Sequence, residues 1–224
     1  SNLFGVGGAS VISRALGARD LQRAKDTASF AFWGCAALTL VYSLGAWLFA
    51  GPFVDLLGGS NPLVHDYAVE YLTFTVVIGG LATSLNALLA HLVRSEGRSL
   101  QASIGVALGG VMNIALDPLF MFVILPRGYE TLGAAIATAL SNVIALAYFL
   151  IVVLREGKRS ILRLSPRRLD KSVRGKIPAD VLMTGLPACL MTLCENISYA
   201  VLDALMAASG TALQAGLGVA KKVN

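Results

Sequence analysis

Charge is scarce in this chain of 224 residues. Asp, Glu, Lys and Arg make up 14% of it against 56% hydrophobic residues, and the mean hydropathy is +0.71. A soluble domain of this length fills its core with far less apolar material, so the composition is that of a membrane protein. Cysteine is scarce as well. Cys35, Cys189 and Cys194 are odd in number, lie inside apolar runs and lack the short paired spacing of a zinc site or a redox motif, which leaves them as packing residues. Of the two histidines, His65 and His91, neither has a second ligand at metal spacing. Also missing are an initiator Met and a basic stretch ahead of the first apolar run. The opening "SNLFGVGGASVIS" therefore shows no cleavable signal peptide and reads as cut. None of the apolar runs alternates in polarity, which excludes a transmembrane barrel.

What is present in quantity is long apolar sequence. A hydrocarbon core about 30 Å thick needs roughly 20 apolar residues at about 1.5 Å per helical residue. Five stretches qualify, at 27–50, 70–93, 100–125, 131–154 and 180–206, each ended by Gly, Pro, Asn or clustered charge. The runs 3–13 and 211–220 are too short to cross alone and read as partial spans. Small residues recur in "GVGGAS", "IGGLATS", "GVALGG" and "LGAAIATALS", where they permit close helix approach. The predicted fold class is all-α, a polytopic transmembrane helix bundle.

The net charge of +5 does not point to nucleic acid, because the basic residues crowd into short loops. Arg14, Arg19, Arg23 and Lys25 precede the first full span, and 51–66 holds no base. Arg94 and Arg98 follow the second span, Arg127 stands alone after the third, and nine bases occupy 155–176. Lys and Arg accumulate in cytoplasmic loops, so these connections read in, out, in, out, in. The segment 155–176 is the longest polar connection and the natural internal boundary, either an ordinary cytoplasmic linker or a strip that grips anionic lipid.

A few polar residues lie where charge is costly. An acid at the bilayer centre costs about 2.5–3.5 kcal/mol on insertion scales and usually faces a bundle interior or a watery cavity. Asp117, Glu195 and Asp203 fall inside spans, whereas Glu70, Glu96 and Asp180 sit at run edges within reach of the interface. In "GGVMNIALDPLFMF", Asn113 and Asp117 share one helical face, and Pro118 removes the N–H that the carbonyl of Ile114 would otherwise accept from. Carboxylate, amide and loosened carbonyl could converge on a proton or a sodium ion. The alternative is a proline-kinked helix whose Asp and Asn only hydrogen-bond a neighbour. Glu195 follows Pro187 in a second proline-containing span, and Asp203 is rotated from it by about 80°, so those two acids need not share a site. Thr138 and Asn142 are also one turn apart, and by themselves read as helix-packing polar residues.

Taken in order, "GVGGASVISRALGARDLQRA", "LVRSEGRSLQASIGVALGGVMNIALDPLFMF", "LGAAIATALS" and "GLPACLMTLCEN" resemble the multidrug and toxic compound extrusion (MATE) transporters over essentially the whole chain. The resemblance implies twelve helices in two six-helix lobes. It also implies export of cationic organic compounds, as drugs or toxins, by alternating access in exchange for protons or sodium. On that pattern 1–154 is a partial amino-terminal lobe, 155–177 the cytoplasmic interlobe linker and 178–224 the start of the carboxy-terminal lobe. The resemblance places Asn113 and Asp117 in the amino-lobe cation site, with Thr138 joining them, and Glu195 on an acid of the carboxy lobe's first helix. It further implies no catalytic residue, no metal and no cofactor beyond the coupling ion. The implied partners are a small organic substrate, membrane lipid and the rest of the same transporter, since the family's first helix and everything after the start of its eighth lie outside these residues. The implied location is the cell membrane, the inner one in a Gram-negative cell.

Three other readings make different demands on the sequence. A lipid-linked oligosaccharide flippase of the same superfamily would carry intramembrane Arg or Lys facing pyrophosphate, and the spans have none. An intramembrane enzyme would need a catalytic Asp pair or a His/Glu cluster at spacings that do not occur here. A non-transporting scaffold would have no need of an acid–amide pair beside a proline.

Overall fold

The computed structural model describes residues 1–51, 54, 69, 72–126, 129–155, 160, 162, 164 and 175–209. Among them every regular element is a helix. In chain order these are α1 (Asn2–Gly17), α2 (Leu21–Leu48), α3 (Gly80–Ser95), α4 (Ser99–Pro118), α5 (Glu130–Arg155) and α6 (Ile177–Ser209). Short π-helical segments precede α3 (Thr73–Ile78) and follow α4 (Leu119–Ile124).

Local chemistry explains the first turn. After α1 the chain turns through Arg19, which adopts a left-handed φ of 59°. Asp20 then accepts from the Arg23 N–H at 2.9 Å and caps α2. The stretch "GARD" is thus a helix stop followed directly by a helix start.

Among the described residues, four helical stretches are long and apolar enough to cross a membrane, at Leu21–Leu48, Ser99–Ile124, Thr131–Arg155 and Ile177–Leu202. At 1.5 Å per residue they are about 37–42 Å long, beyond the ~30 Å that a hydrocarbon core requires. The remaining expected span, 70–93, is described from Leu72 onward and is not one uniform helix. Its first part is the π segment, followed by a bend at Gly79 and then the 16 residues of α3. A π turn leaves backbone carbonyls poorly paired, and Ser43 of α2 donates its hydroxyl to one of them, Val76, at 3.0 Å.

Helix α3 lies at the centre, touching α1, α2, α4 and α5. Leu88, Leu89, Leu92 and Val93 of α3 are fully buried against Ile12, Ala28, Ala31 and Phe149. The facing surfaces of α1 and α2 are rich in Ala and Gly, so the backbones approach closely. Outward surfaces are just as apolar: Val41, Val111, Phe122 and Leu154 are exposed, as expected for side chains meeting lipid tails. Helix α6 packs along α1 and, more lightly, α2. Its closest approach is at a glycine pair: a Cβ on Gly7 would strike the Val181 carbonyl, and one on Gly185 the Leu3 carbonyl.

Loops expected on the cytoplasmic side gather at one end of the bundle. Arg23 pairs with Asp180, and Arg14 donates to Thr184 at 3.0 Å. Glu96 was expected to reach an interface; its side chain is instead 5% exposed. It accepts from Ser160 Oγ and from the Leu162 N–H, both at 3.0 Å, and pairs with Arg98. Leu162 is itself buried in the core, and the Leu164 carbonyl accepts from Trp33. Part of the basic connection 155–176 is therefore built into the bundle rather than solvated. The packing role expected of the cysteines fits Cys35, which is buried, but not Cys194, which is exposed. His65, Glu70, the side chain of Asp203 and the run 211–220 lie outside the described residues.

Candidate functional site

Pro118 ends the regular part of α4. It has no N–H, and the next one, of Leu119, is bonded to the carbonyl of Leu116. From Leu119 the ladder runs in π register to Ile124. A helical carbonyl points along the axis toward the residue four positions on, so that of Ile114 is directed at Pro118, beside Asp117, with no donor there. The Ile114 side chain points away, 75% exposed.

On the face one turn back, Asn113 Nδ2 lies 3.2 Å from Asp117 Oδ1. The same nitrogen is 3.3 Å from Thr138 Oγ1 on α5, which brings together three of the residues singled out from the sequence. All three are half-buried. Asn113 thus turns its amide nitrogen, not its oxygen, to the cluster, and the oxygens it holds together are those of a carboxylate and a hydroxyl, hard donors that suit a proton or a small monovalent cation.

Thr138 is held from a second side. Its carbonyl accepts from Asn142 Nδ2 and from Ser141 Oγ, each at 2.9 Å. Asn142 Oδ1 in turn accepts from Asn86 Nδ2 of α3 at 3.2 Å. Spacing alone marked Thr138 and Asn142 as packing residues, the family resemblance added Thr138 to the cation site, and Asn86 was passed over. An uncharged amide alone in the apolar run "SLNALLAHLV" was the signal available.

The structure does not join Glu195 to this cluster. Glu195 is exposed on α6, whose neighbours are α1 and α2, while Asp117 lies where α4 meets α5. Nearby on α6, Thr192 accepts from Asn2 of α1 at 2.8 Å.

A family model, MatE, matches residues 1–119, more than half of the chain. The chain belongs to the MatE family. Among curated relatives, the multidrug export protein MepA of Staphylococcus saprophyticus is 31% identical over 220 residues, and MepA of Staphylococcus aureus 30% over 224. Each alignment covers 97% of this chain and 46% of the relative, so this MatE chain spans about half the length of the curated relatives it matches. Solved structures agree. One described as the inward-facing conformation of a multidrug resistance MATE family transporter has a TM-score of 0.83 at 26% identity, over 95% of this chain and 47% of that one. Its outward-facing counterpart has a TM-score of 0.75 at 26% identity, over 99% and 47%. The MatE chain is thus an all-helical, multi-pass integral membrane protein.

Proposed function

We propose that this chain is the amino-terminal part of a cation-coupled antiporter. It exports organic, cationic drugs or toxic compounds by alternating access, with Asp117 as the coupling residue of the amino-terminal lobe. Residues 1–154 belong to that lobe, 155–177 to the linker and 178–224 to the start of the second lobe. The observation that carries this reading is the meeting of Asp117, Asn113 and Thr138 beside the backbone that Pro118 loosens. A carboxylate at this depth is costly unless it is paired, protonated or holding a cation, and a group that alternates among these states can couple ion flow to lobe movement. Thr138 and the Ile114 carbonyl are the neutral oxygens beside it, and Asn113, whose Nδ2 faces the acid here, adds its own oxygen by turning its amide. The coupling ion is a proton or sodium. Glu195 is a second acid site, independent of the first and belonging to the carboxy-terminal lobe. The export names of the relatives support the substrate class.

The test is Asp117→Asn in protein expressed from its full reading frame. The amide keeps size and most hydrogen bonding but cannot titrate. Membrane abundance should therefore stay near that of the parent while gradient-driven export is lost. Full gradient-dependent export by D117N at normal abundance would make the acid structural and end this reading.

A further inference from the structure

The polar chain that reaches Asp117 has a far end that the coupling reading does not use. Asn86 lies on α3, opposite α4: a Cβ added at Gly109 would sit 3.9 Å from Asn86 Nδ2 and 3.3 Å from the Ala145 side chain. Gly109, Asn113 and Asp117 are four residues apart and share a face, so Asn86 meets α4 one turn along from the site.

Each amide in the chain has its orientation set by the next group. The Thr138 carbonyl can only accept, so Asn142 turns its Nδ2 to it at 2.9 Å and must present Oδ1 to α3. Asn86 must then answer with Nδ2, which it does at 3.2 Å. Its own Oδ1 is left buried and without a hydrogen-bond partner among the described residues. A buried unpaired acceptor is unfavourable, and a leucine, with the same branched skeleton, would remove it. The amide is therefore a poor choice for filling space and a good one for holding Asn142.

We propose that Asn86 is a positioning residue for the amino-lobe cation site. Through Asn142 it holds the Thr138 turn of α5 from the α3 side, while Asn113 engages the same turn from α4. The Asn113–Thr138 contact, at 3.3 Å, lies near the end of the hydrogen-bonding range, so a shift of a few tenths of an ångström in α5 breaks it. Asn86 thus sets cation affinity without touching the ion. This inference rests on the assignment of Asp117 as the coupling residue.

Asn86→Leu separates positioning from packing. It keeps the branched four-heavy-atom skeleton, lacks a donor and removes the unpaired carbonyl, so the protein expressed from its full reading frame should reach the membrane as well as the parent and unfold at a similar temperature. Export is then measured across sodium concentrations and, separately, across proton gradients. The cation level for half-maximal export should rise about fivefold, the effect of one lost hydrogen bond, while the maximal rate holds. Thr138→Ala should raise it too, and adding N86L to T138A should change it less than about twofold, because both act through one contact. An unchanged half-maximal level in N86L, or effects of N86L and T138A that multiply in full, would overturn the proposal. Asn86→Ala repeats the comparison should N86L fail to accumulate. Loss of export in D117N with N86L unaltered sinks only the positioning role, whereas coupled export by D117N sinks the site assignment beneath it.

Discussion

Asn113 donates from one nitrogen toward two acceptors, Asp117 Oδ1 and Thr138 Oγ1. It can therefore keep both oxygens at one point between α4 and α5, but it does not carry the proton or the charge. Asn113→Ala should weaken cation binding by roughly tenfold, as expected when a hydrogen bond to a charged group is lost, and leave a carboxyl that still titrates. Export at a saturating gradient should persist, in contrast to D117N. Transport measured over a range of cation concentrations decides this; export abolished at every gradient, at normal abundance, would make Asn113 as essential as the acid. The pairing of Asn113 with Asp117 was legible because both lie on one helix, where a four-residue spacing implies a shared face. Thr138 could be attached only through the family pattern, since nothing local brings α5 to α4. Asn86 was invisible for the same reason: its partner, Asn142, lies 56 residues away, and a lone amide carries no charge to make it stand out.

At the level of elements, the sequence pattern located helices well and their irregularities poorly. Pro118 announced a disturbed ladder, and the π segment begins directly after it. No proline marks the π turn at Thr73–Ile78, where the stabilising group is Ser43 on another helix. Close approach shows the same division. "GVGGAS" in α1 signalled a tight contact, whereas its counterpart in "TGLPACL" could not be matched to it because the helices are far apart in sequence. Gly185→Val tests that contact. The obstructing atoms are the backbone of Leu3, which cannot rotate aside as a side chain would, so α1 and α6 must separate. We expect a drop in melting temperature in detergent and lower membrane abundance, each exceeding the effect of the same substitution at Gly110, which has no neighbour within 4 Å of a would-be Cβ. Equal behaviour of the two variants would show that the helices are not held at glycine distance.

For the whole molecule, the alternation of basic loops predicted which connections share a side, and their contacts agree: 14–26 meets the start of α6, and 94–99 meets 160–162. What charge alone could not reveal is that Glu96 is buried at this end, or that Leu162 enters the core from a segment with nine bases. Loop polarity reports the side of the membrane, whereas burial depends on which side chains happen to face the bundle. The gathering of these loops makes orientation a single question, because one end must be cytoplasmic as a unit. With the three native cysteines replaced by serine, a cysteine introduced as Lys171→Cys should react with a membrane-impermeant maleimide only after the cells are opened. Thr131→Cys, at the opposite end of a span beginning at 131, should react in intact cells. Anionic lipid and the membrane potential both favour keeping bases inside, so the reverse pattern would require nine of them to be translocated together. Labelling of K171C in intact cells would therefore invert the molecule, placing the contacts of Arg14, Arg23 and Glu96 outside and reversing the direction in which Asp117 meets its ion.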